Sequence, residues 1–134
     1  MNRILIIDVA GDPSKVVLAG DGKVVSVAEI KDKRSLSERL LKTIDDVLGQ
    51  HNTKLSDLAA VALTVEGSSF TSLRIAAAVV NALGYAAQLP LIALAPASQE
   101  KLIISAEKLL AEGKTTDRLL PEYGRPPTIT PPKR

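Results

Sequence analysis

The stretch NRILIIDVAGDPSKVVLAGDGKVVSVAEI (residues 2–30) decides the fold, because it contains three short apolar runs that are separated by turns. The first run, NRILIIDV (2–9), is apolar enough to form a strand that is buried on both faces. The runs SKVVLAG and KVVSVAEI flank Asp21 and Gly22. An Asp-Gly pair between branched runs is typical of a tight hairpin, in which both turn residues need a positive φ. The stretch therefore predicts three consecutive antiparallel strands.

Two units that each combine a helix and a strand follow this stretch. Ser35 and Glu38 have the spacing of a capping box, which predicts the start of an amphipathic helix whose end is marked by Gly49 and Asn52. Its buried stripe is expected to contain Leu36, Leu40, Leu41, Ile44, Val47 and Leu48. The predicted elements after residue 30 are a helix over 35–50, a strand over 59–65, a helix over 69–88, a strand over 90–95 and a helix over 97–112. The order βββαβαβα predicts an α/β fold: a mixed five-stranded sheet with helices on its faces and right-handed crossovers. This is the arrangement of a single lobe of the ribonuclease-H-like and actin-like ATPase folds.

A domain boundary is predicted at residue 112. Residues 1–112 form one lobe, and residues 113–134 are expected to form an extended basic tail that adds no domain. The tail is rich in proline and carries a net charge of +3, which leaves −1 for the lobe out of the total of +2. A lobe that is nearly neutral argues against a nucleic-acid-binding domain in its own right.

The composition excludes several kinds of site. The chain has no cysteine, which excludes disulfides, zinc–thiolate sites and thiol nucleophiles. The single histidine, His51, is placed at a helix end and is expected to have no role as a general base. No cluster of ligands has metal-binding spacing, so we expect neither a metal nor a cofactor. The N-terminus does not resemble a signal peptide, and Asn81, Gln88 and Pro90 interrupt the apolar residues 75–95, so we expect a cytoplasmic protein that does not cross a membrane.

The predicted helix over 69–88 has almost no polar side. On a helical wheel, the sheet-facing side is expected to contain Ala76, Val79, Val80, Leu83 and Ala87. The opposite side carries two of the three aromatic residues and several small residues, and it comprises Phe70, Arg74, Ala77, Ala78, Asn81, Tyr85 and Gln88. A helix that is apolar nearly all round is normally covered on both sides. Either the last helix or the tail of the same chain covers this outward side, or a partner protein or a second copy does.

Two further features could bind a ligand, and each has a structural alternative. Asp8 ends the first strand, where actin-like ATPases carry an acid that approaches phosphate, but an aspartate in this position is more often a turn-former. The segment GSSFTSLR (67–74) opens a helix with free N–H groups that could bind an anion. Ser69 or Thr71 could instead cap that helix, and capping alone would explain the segment.

Three segments of the chain resemble the TsaB (YeaZ-like) family, whose members are bacterial partner proteins in the threonylcarbamoyladenosine modification of tRNA. They are SLSERLLKTIDDVL (35–48), LSDLAAVALTVEGSSFTSLRIA (55–76) and LPLIALAPAS (89–98). In the family's conserved glycine-rich segment, which here spans residues 66–74, the Ser-Phe-Thr and Leu-Arg pieces match while the glycines and the proline are changed. PEYGRPP (121–127) resembles the family's C-terminal ending. Family members have a second lobe, so the chain looks like a shortened form.

The resemblance implies a non-catalytic accessory subunit that binds a TsaD-like catalytic subunit through the helices over 35–50 and 69–88. A TsaE-like ATPase joins such complexes, and contact with tRNA would be indirect. The implied contact residues are Glu38, Arg39, Phe70, Arg74, Ala77, Ala78, Asn81 and Tyr85. Since actin-like folds hold nucleotide between two lobes, a single lobe is expected to bind none. The alternatives are a homodimeric interaction module without enzymatic activity and a degenerate actin-like ATPase that uses Asp8.

Overall fold

Within residues 3–120, which are the residues that the computed structural model describes, the predicted order of strands and helices is confirmed. The strands are β1 (Arg3–Asp8), β2 (Ser14–Gly20), β3 (Lys23–Ile30), β4 (Leu58–Thr64) and β5 (Leu91–Leu94). The helices are α1 (Leu36–Gln50), α2 (Phe70–Ala87) and α3 (Gln99–Ala111), with short 3-10 turns at Lys33–Ser35 and Leu55–Asp57. The predicted boundaries differ from these by one or two residues.

The strands form one mixed sheet in the order β3-β2-β1-β4-β5. β1 pairs antiparallel with β2 and parallel with β4, and β5 pairs parallel with β4. Asp21 and Gly22 connect β2 to β3 with φ angles of 53° and 79°, as the hairpin prediction requires. The parallel pairs are joined through α1 and α2, since a parallel connection needs a long crossover. The predicted α/β lobe with a five-stranded mixed sheet is confirmed.

Both faces of the sheet are covered, and β1 shows how its residues divide between them. Leu5 and Ile7 point to the face on which α1 and α2 pack, and Ile4 and Ile6 point to the face on which α3 packs. This alternation follows from the two-residue period of a strand. Because α3 lies on the opposite face from α2, the last helix does not cover the outward side of α2. That alternative from the sequence is therefore wrong.

The start of α1 differs from the sequence prediction. The capping box of Ser35 and Glu38 does not form, because Ser35 has φ −101° and ψ 11°, whereas a capping residue is usually extended. The Ser35 hydroxyl instead donates to the carbonyl oxygen of Asp32 at 2.9 Å. The 3-10 turn over Lys33–Ser35 runs directly into α1, which leaves no extended residue at the junction. The end of the helix is as predicted, with Asn52 in the left-handed region at φ 51°.

The first residues of the predicted tail pack on the lobe, and we call residues 115–119 the strap. Thr116 forms an antiparallel bridge with Leu91, in which the two backbone N–H···O bonds measure 2.8 and 2.9 Å. Leu119 is buried in the core on the α1 and α2 side of the sheet. The strap therefore belongs to the packed lobe, although the predicted boundary left it in the tail. Residues 121–134 of the tail, including PEYGRPP, lie outside the described residues.

Candidate functional site

The N-terminus of α2 is capped by a side chain from the turn that precedes it. The Ser69 hydroxyl accepts a hydrogen bond from the Ser72 N–H at 3.1 Å, so Ser69 is the capping residue of the two candidates that the sequence offered. Gly67 precedes it with φ 82°, and a Cβ on Gly67 would lie 2.9 Å from Pro96 Cγ. This turn therefore needs glycine, both for its φ and for the close approach of Pro96. The cap and the turn together account for the conformation of the segment over 67–74.

Replacing Ser69 with alanine is expected to destabilise the fold by about 1 kcal/mol, because the N–H of Ser72 loses its acceptor. Thermal or urea unfolding of Ser69→Ala measures this change. Thr71→Ala is the matched control, since Thr71 is exposed and is not the capping residue. Equal losses of stability in the two variants would contradict the assignment of the cap.

Asp8 joins the ends of two parallel strands. Its Oδ1 atom accepts a hydrogen bond from the Ala10 N–H at 3.0 Å and another from the Thr64 hydroxyl at 3.4 Å. Thr64 is buried, and its Oγ1 atom accepts from the Val9 N–H at 3.1 Å. These bonds agree with the turn-forming role that the sequence favoured for Asp8. The alternative role near phosphate stays a hypothesis.

The outward side of α2 presents aromatic, small and cationic residues. Tyr85 is 80% exposed and Phe70 is 53% exposed. Arg74 and Ala78 are also exposed, and the Arg74 guanidinium lies over the Phe70 ring at 5.6 Å from its centroid. Large aromatic side chains and arginine are the residue types that most often dominate protein–protein binding energy. This side of α2 is therefore the candidate interaction surface.

Two of the predicted contact residues on α2 are placed differently. Ala77 is only 4% exposed and belongs to the core, so its placement on the outward side is wrong. Asn81 is half-buried, and its amide binds the strap: Nδ2 donates to the Leu119 carbonyl at 3.0 Å, and Oδ1 accepts from the Leu119 N–H at 2.7 Å. Ala77 packs in the core and Asn81 binds the strap, so neither side chain is free to contact a partner, contrary to the helical-wheel prediction.

The reason is a rotation of α2 relative to the predicted orientation. The line that faces the sheet contains Leu73, Ala77, Val80 and Gly84. Of the predicted sheet-facing residues, Ala76 and Val80 are fully buried, whereas Val79, Leu83 and Ala87 are only half-buried at the flank of this line. Gly84 permits a close approach to β5, since a Cβ there would lie 2.8 Å from Leu91 Cδ2. The small residues Ala77 and Gly84 thus serve packing within the chain, and Ala78 and Ala82 remain on the exposed side.

α1 contributes one exposed residue, Leu41, next to this surface. Glu38 and Arg39 are exposed on α1, but they line a separate pocket with residues 29–32 at the end of β3. Arg39 lies about 160° around the helix from Leu41, so these two predicted contact residues do not adjoin the outward side of α2. Leu41 was expected in the buried stripe of α1 but is 56% exposed, because it lies about 100° around the helix from the buried Leu40. An open groove of about 300 Å³ runs between the two helices, and it is lined by apolar residues that include Leu41, Ile44, Leu48, Leu55 and Leu83. Leu41 is a contact candidate that sequence reasoning missed, and its position at the edge of the stripe was the available signal.

α2 has the length and mean hydropathy of a membrane-spanning helix, with 18 residues and a mean of 1.3. A core helix passes the same test, and here the residues on one side of α2 contribute to the core over the sheet. The absence of a membrane span, which the interruptions of the apolar stretch suggested, stays a prediction.

Comparison with known proteins gives consistent matches. A family model described as TsaD, tRNA N6-adenosine threonylcarbamoyltransferase, matches residues 24–113. The chain is 36% identical over 90 residues to the tRNA threonylcarbamoyladenosine biosynthesis protein TsaB of Escherichia coli (strain K12), a match that covers 67% of this chain and 38% of that protein. It is 30% identical over 116 residues to TsaB of Buchnera aphidicola subsp. Acyrthosiphon pisum (strain APS), a match that covers 87% of this chain and 50% of that protein.

Solved structures agree with these sequence matches. YeaZ from Pseudomonas aeruginosa superimposes with a TM-score of 0.63 at 28% identity, covering 85% of this chain and 51% of YeaZ. A second structure, described as similar to peptidase YeaZ from Pseudomonas aeruginosa, gives a TM-score of 0.66 at 27% identity. The match covers 85% of this chain and 50% of that one. The chain spans half or less of the length of the curated relatives it matches. The matched family model, the two relatives and the shared fold show that the chain belongs to the TsaB/YeaZ family.

Proposed function

We propose that the chain is a non-catalytic accessory subunit in threonylcarbamoyladenosine modification of tRNA, and that it binds a TsaD-like catalytic subunit through α1 and α2. The observation that carries this proposal is the exposed outward side of α2, which presents Phe70, Ala78 and Tyr85 along the same side of the helix as Arg74. The names of the matched relatives support the pathway, and the match to the TsaD model supports the choice of partner.

The surface is large enough for a stable complex. An α-helix of 18 residues is ~27 Å long, and α1 adds Leu41 across the groove beside it. A specific interface of ordinary size buries ~800 Å² on each partner, which two adjacent helices can supply. Arg74 adds an exposed cation to the outward side of α2, so a partner surface that carries a carboxylate there would complement it. Small residues at Ala78 and Ala82 allow a partner helix to pack closely against the middle of α2.

The binding proposal is tested by mixing the purified chain with the TsaD-like protein of the same organism at micromolar concentration. We expect both proteins to elute together from gel filtration, earlier than either protein alone. Adding the TsaE-like ATPase in a second run asks whether a three-component complex forms. Separate elution of a correctly folded chain and its candidate partner would contradict the proposal.

A second candidate is a homodimer, which the same exposed side favours because an apolar surface can pair with its own copy across a two-fold axis. Light scattering over a range of concentrations is the measurement. A mass that rises from monomer to dimer would support self-association in the absence of the partner. A monomer at every concentration would exclude the homodimer and leave the complex with the TsaD-like protein as the one use of the surface.

A further inference from the structure

An open groove of about 520 Å³ lies where the C-terminal turn of α2 meets the strap. One wall comes from the helix and the turn after it, with Tyr85, Gln88 and Pro90. The other wall comes from the strap, with Thr116 and Asp117. Tyr85 belongs both to this groove and to the outward side of α2, so the groove continues the candidate interaction surface toward β5.

The residues that line the groove include one charged side chain, the carboxylate of Asp117. The groove lies at the C-terminal end of α2, where the helix dipole places a partial negative charge, and the last turn of α2 contains no basic residue. Asp117 adds an exposed carboxylate, and no salt bridge joins it to Arg118 or to any other residue among 3–120. The Tyr85 ring adds an aromatic face, which attracts cations. Within the groove lining all three features favour a cation, while the exposed Lys114 and Arg118 flank Asp117 outside that lining.

The walls of the groove are held in place before any partner binds. The strap is fixed at two points, by the Thr116 bridge to Leu91 and by the paired hydrogen bonds between Asn81 and Leu119. On the helix side, Gln88 Nε2 donates to the Tyr85 carbonyl at 2.8 Å and the Leu89 N–H donates to the Gly84 carbonyl at 2.9 Å. A site with fixed walls loses little conformational entropy on binding, so it can be selective although it is open.

We propose that this groove receives a basic side chain, arginine or lysine, from the TsaD-like partner that docks on α2. The inference rests on the proposed function and adds to it a specificity site at one end of the surface. The side chain stacks on Tyr85 and directs its charged group toward Asp117 and the end of α2. Arginine fits best, because its planar guanidinium can stack on the ring while its N–H groups donate to the carboxylate and to the Thr115 hydroxyl.

Charge reversal at Asp117 tests the groove. We expect Asp117→Lys to bind the TsaD-like protein about tenfold more weakly at low ionic strength, because one attractive contact becomes repulsive. The difference should shrink at high salt, which screens exposed charges. The melting temperature of the isolated chain should not change. Glu100→Lys is the matched control, since Glu100 is an exposed acid on α3, on the other face of the sheet.

Each other outcome overturns the inference in a distinguishable way. Unchanged affinity of Asp117→Lys, together with loss of binding when Ala78 is replaced by aspartate, would overturn the groove alone and leave the proposed function in place. A clear fall in the melting temperature of isolated Asp117→Lys would mean that a basic residue of this chain occupies the groove. Absence of any complex with the unaltered chain would overturn the inference and the proposed function together.

Discussion

Replacing Ala78 with aspartate is expected to abolish binding of the TsaD-like partner while leaving the chain folded. Ala78 is exposed in the middle of the outward side of α2, so the charge is hydrated in the free chain. In the complex the same carboxylate would lose its hydration. Arg74 lies one turn away on the same side of α2, but the desolvation penalty of a buried ion pair can exceed its Coulombic gain, so we expect a cost of about 3 kcal/mol. A loss of that size lowers an affinity by more than a hundredfold. Titration calorimetry or gel filtration with the partner measures it.

Ser105→Asp is the control for this variant. Ser105 is an exposed residue of α3, and α3 packs on the face of the sheet opposite α2. Both variants add one carboxylate to an exposed helix position, so both should melt within a few degrees of the unaltered chain. The Ser105 variant should bind the partner normally. Normal binding by the Ala78 variant would show that the partner does not cover this side of α2.

Replacing Gly84 with leucine is expected to lower the free energy of unfolding by about 3 kcal/mol, the upper part of the usual range for an overpacked core. A Cβ at position 84 would lie 2.8 Å from Leu91 Cδ2 and 3.1 Å from Leu91 Cγ. Leu91 cannot turn away easily, because it is fully buried and its backbone is bonded to Thr116 of the strap. The larger side chain therefore pushes α2 away from β5.

Ala82→Leu is the control for the Gly84 variant, since Ala82 lies on the exposed side of the same helix. It should change stability by less than about 0.5 kcal/mol, as surface substitutions usually do. Urea unfolding, followed by circular dichroism, compares the two variants. If both unfold at the same urea concentration, α2 does not need glycine where it meets β5.

Several features of the fold could be predicted from the sequence because they depend on near neighbours in the chain. The two-residue alternation of Ile4, Leu5, Ile6 and Ile7 is a local property of a strand, and it required cover on both faces of the sheet. The turn at Asp21 and Gly22 is set by the φ angles that these two residues tolerate. The hairpin connections and the two crossovers then predict a mixed sheet, whereas the strand order β3-β2-β1-β4-β5 comes from the structure.

The candidate surface could be predicted only in part. The pattern identified α2 as apolar nearly all round, and it named Phe70, Arg74, Ala78 and Tyr85, which are exposed. It could not fix the rotation of the helix, because a sequence that is apolar on every side offers no polar stripe to orient it. The orientation is set instead by packing, in which the helix approaches β5 where Gly84 has no side chain. Ala77 is consequently in the core.

The sequence by itself thus determined the element order, the mixed sheet and the presence of a helix with more apolar surface than one sheet can cover. Only the tertiary structure decided which side of that helix faces outward, that Leu41 joins it, and that Asn81 holds the strap which forms one wall of the groove. The physical reason is the range of the interactions. Turn and strand preferences act between residues close in the chain, whereas the Asn81–Leu119 bonds join residues 38 positions apart and form only after the lobe has packed.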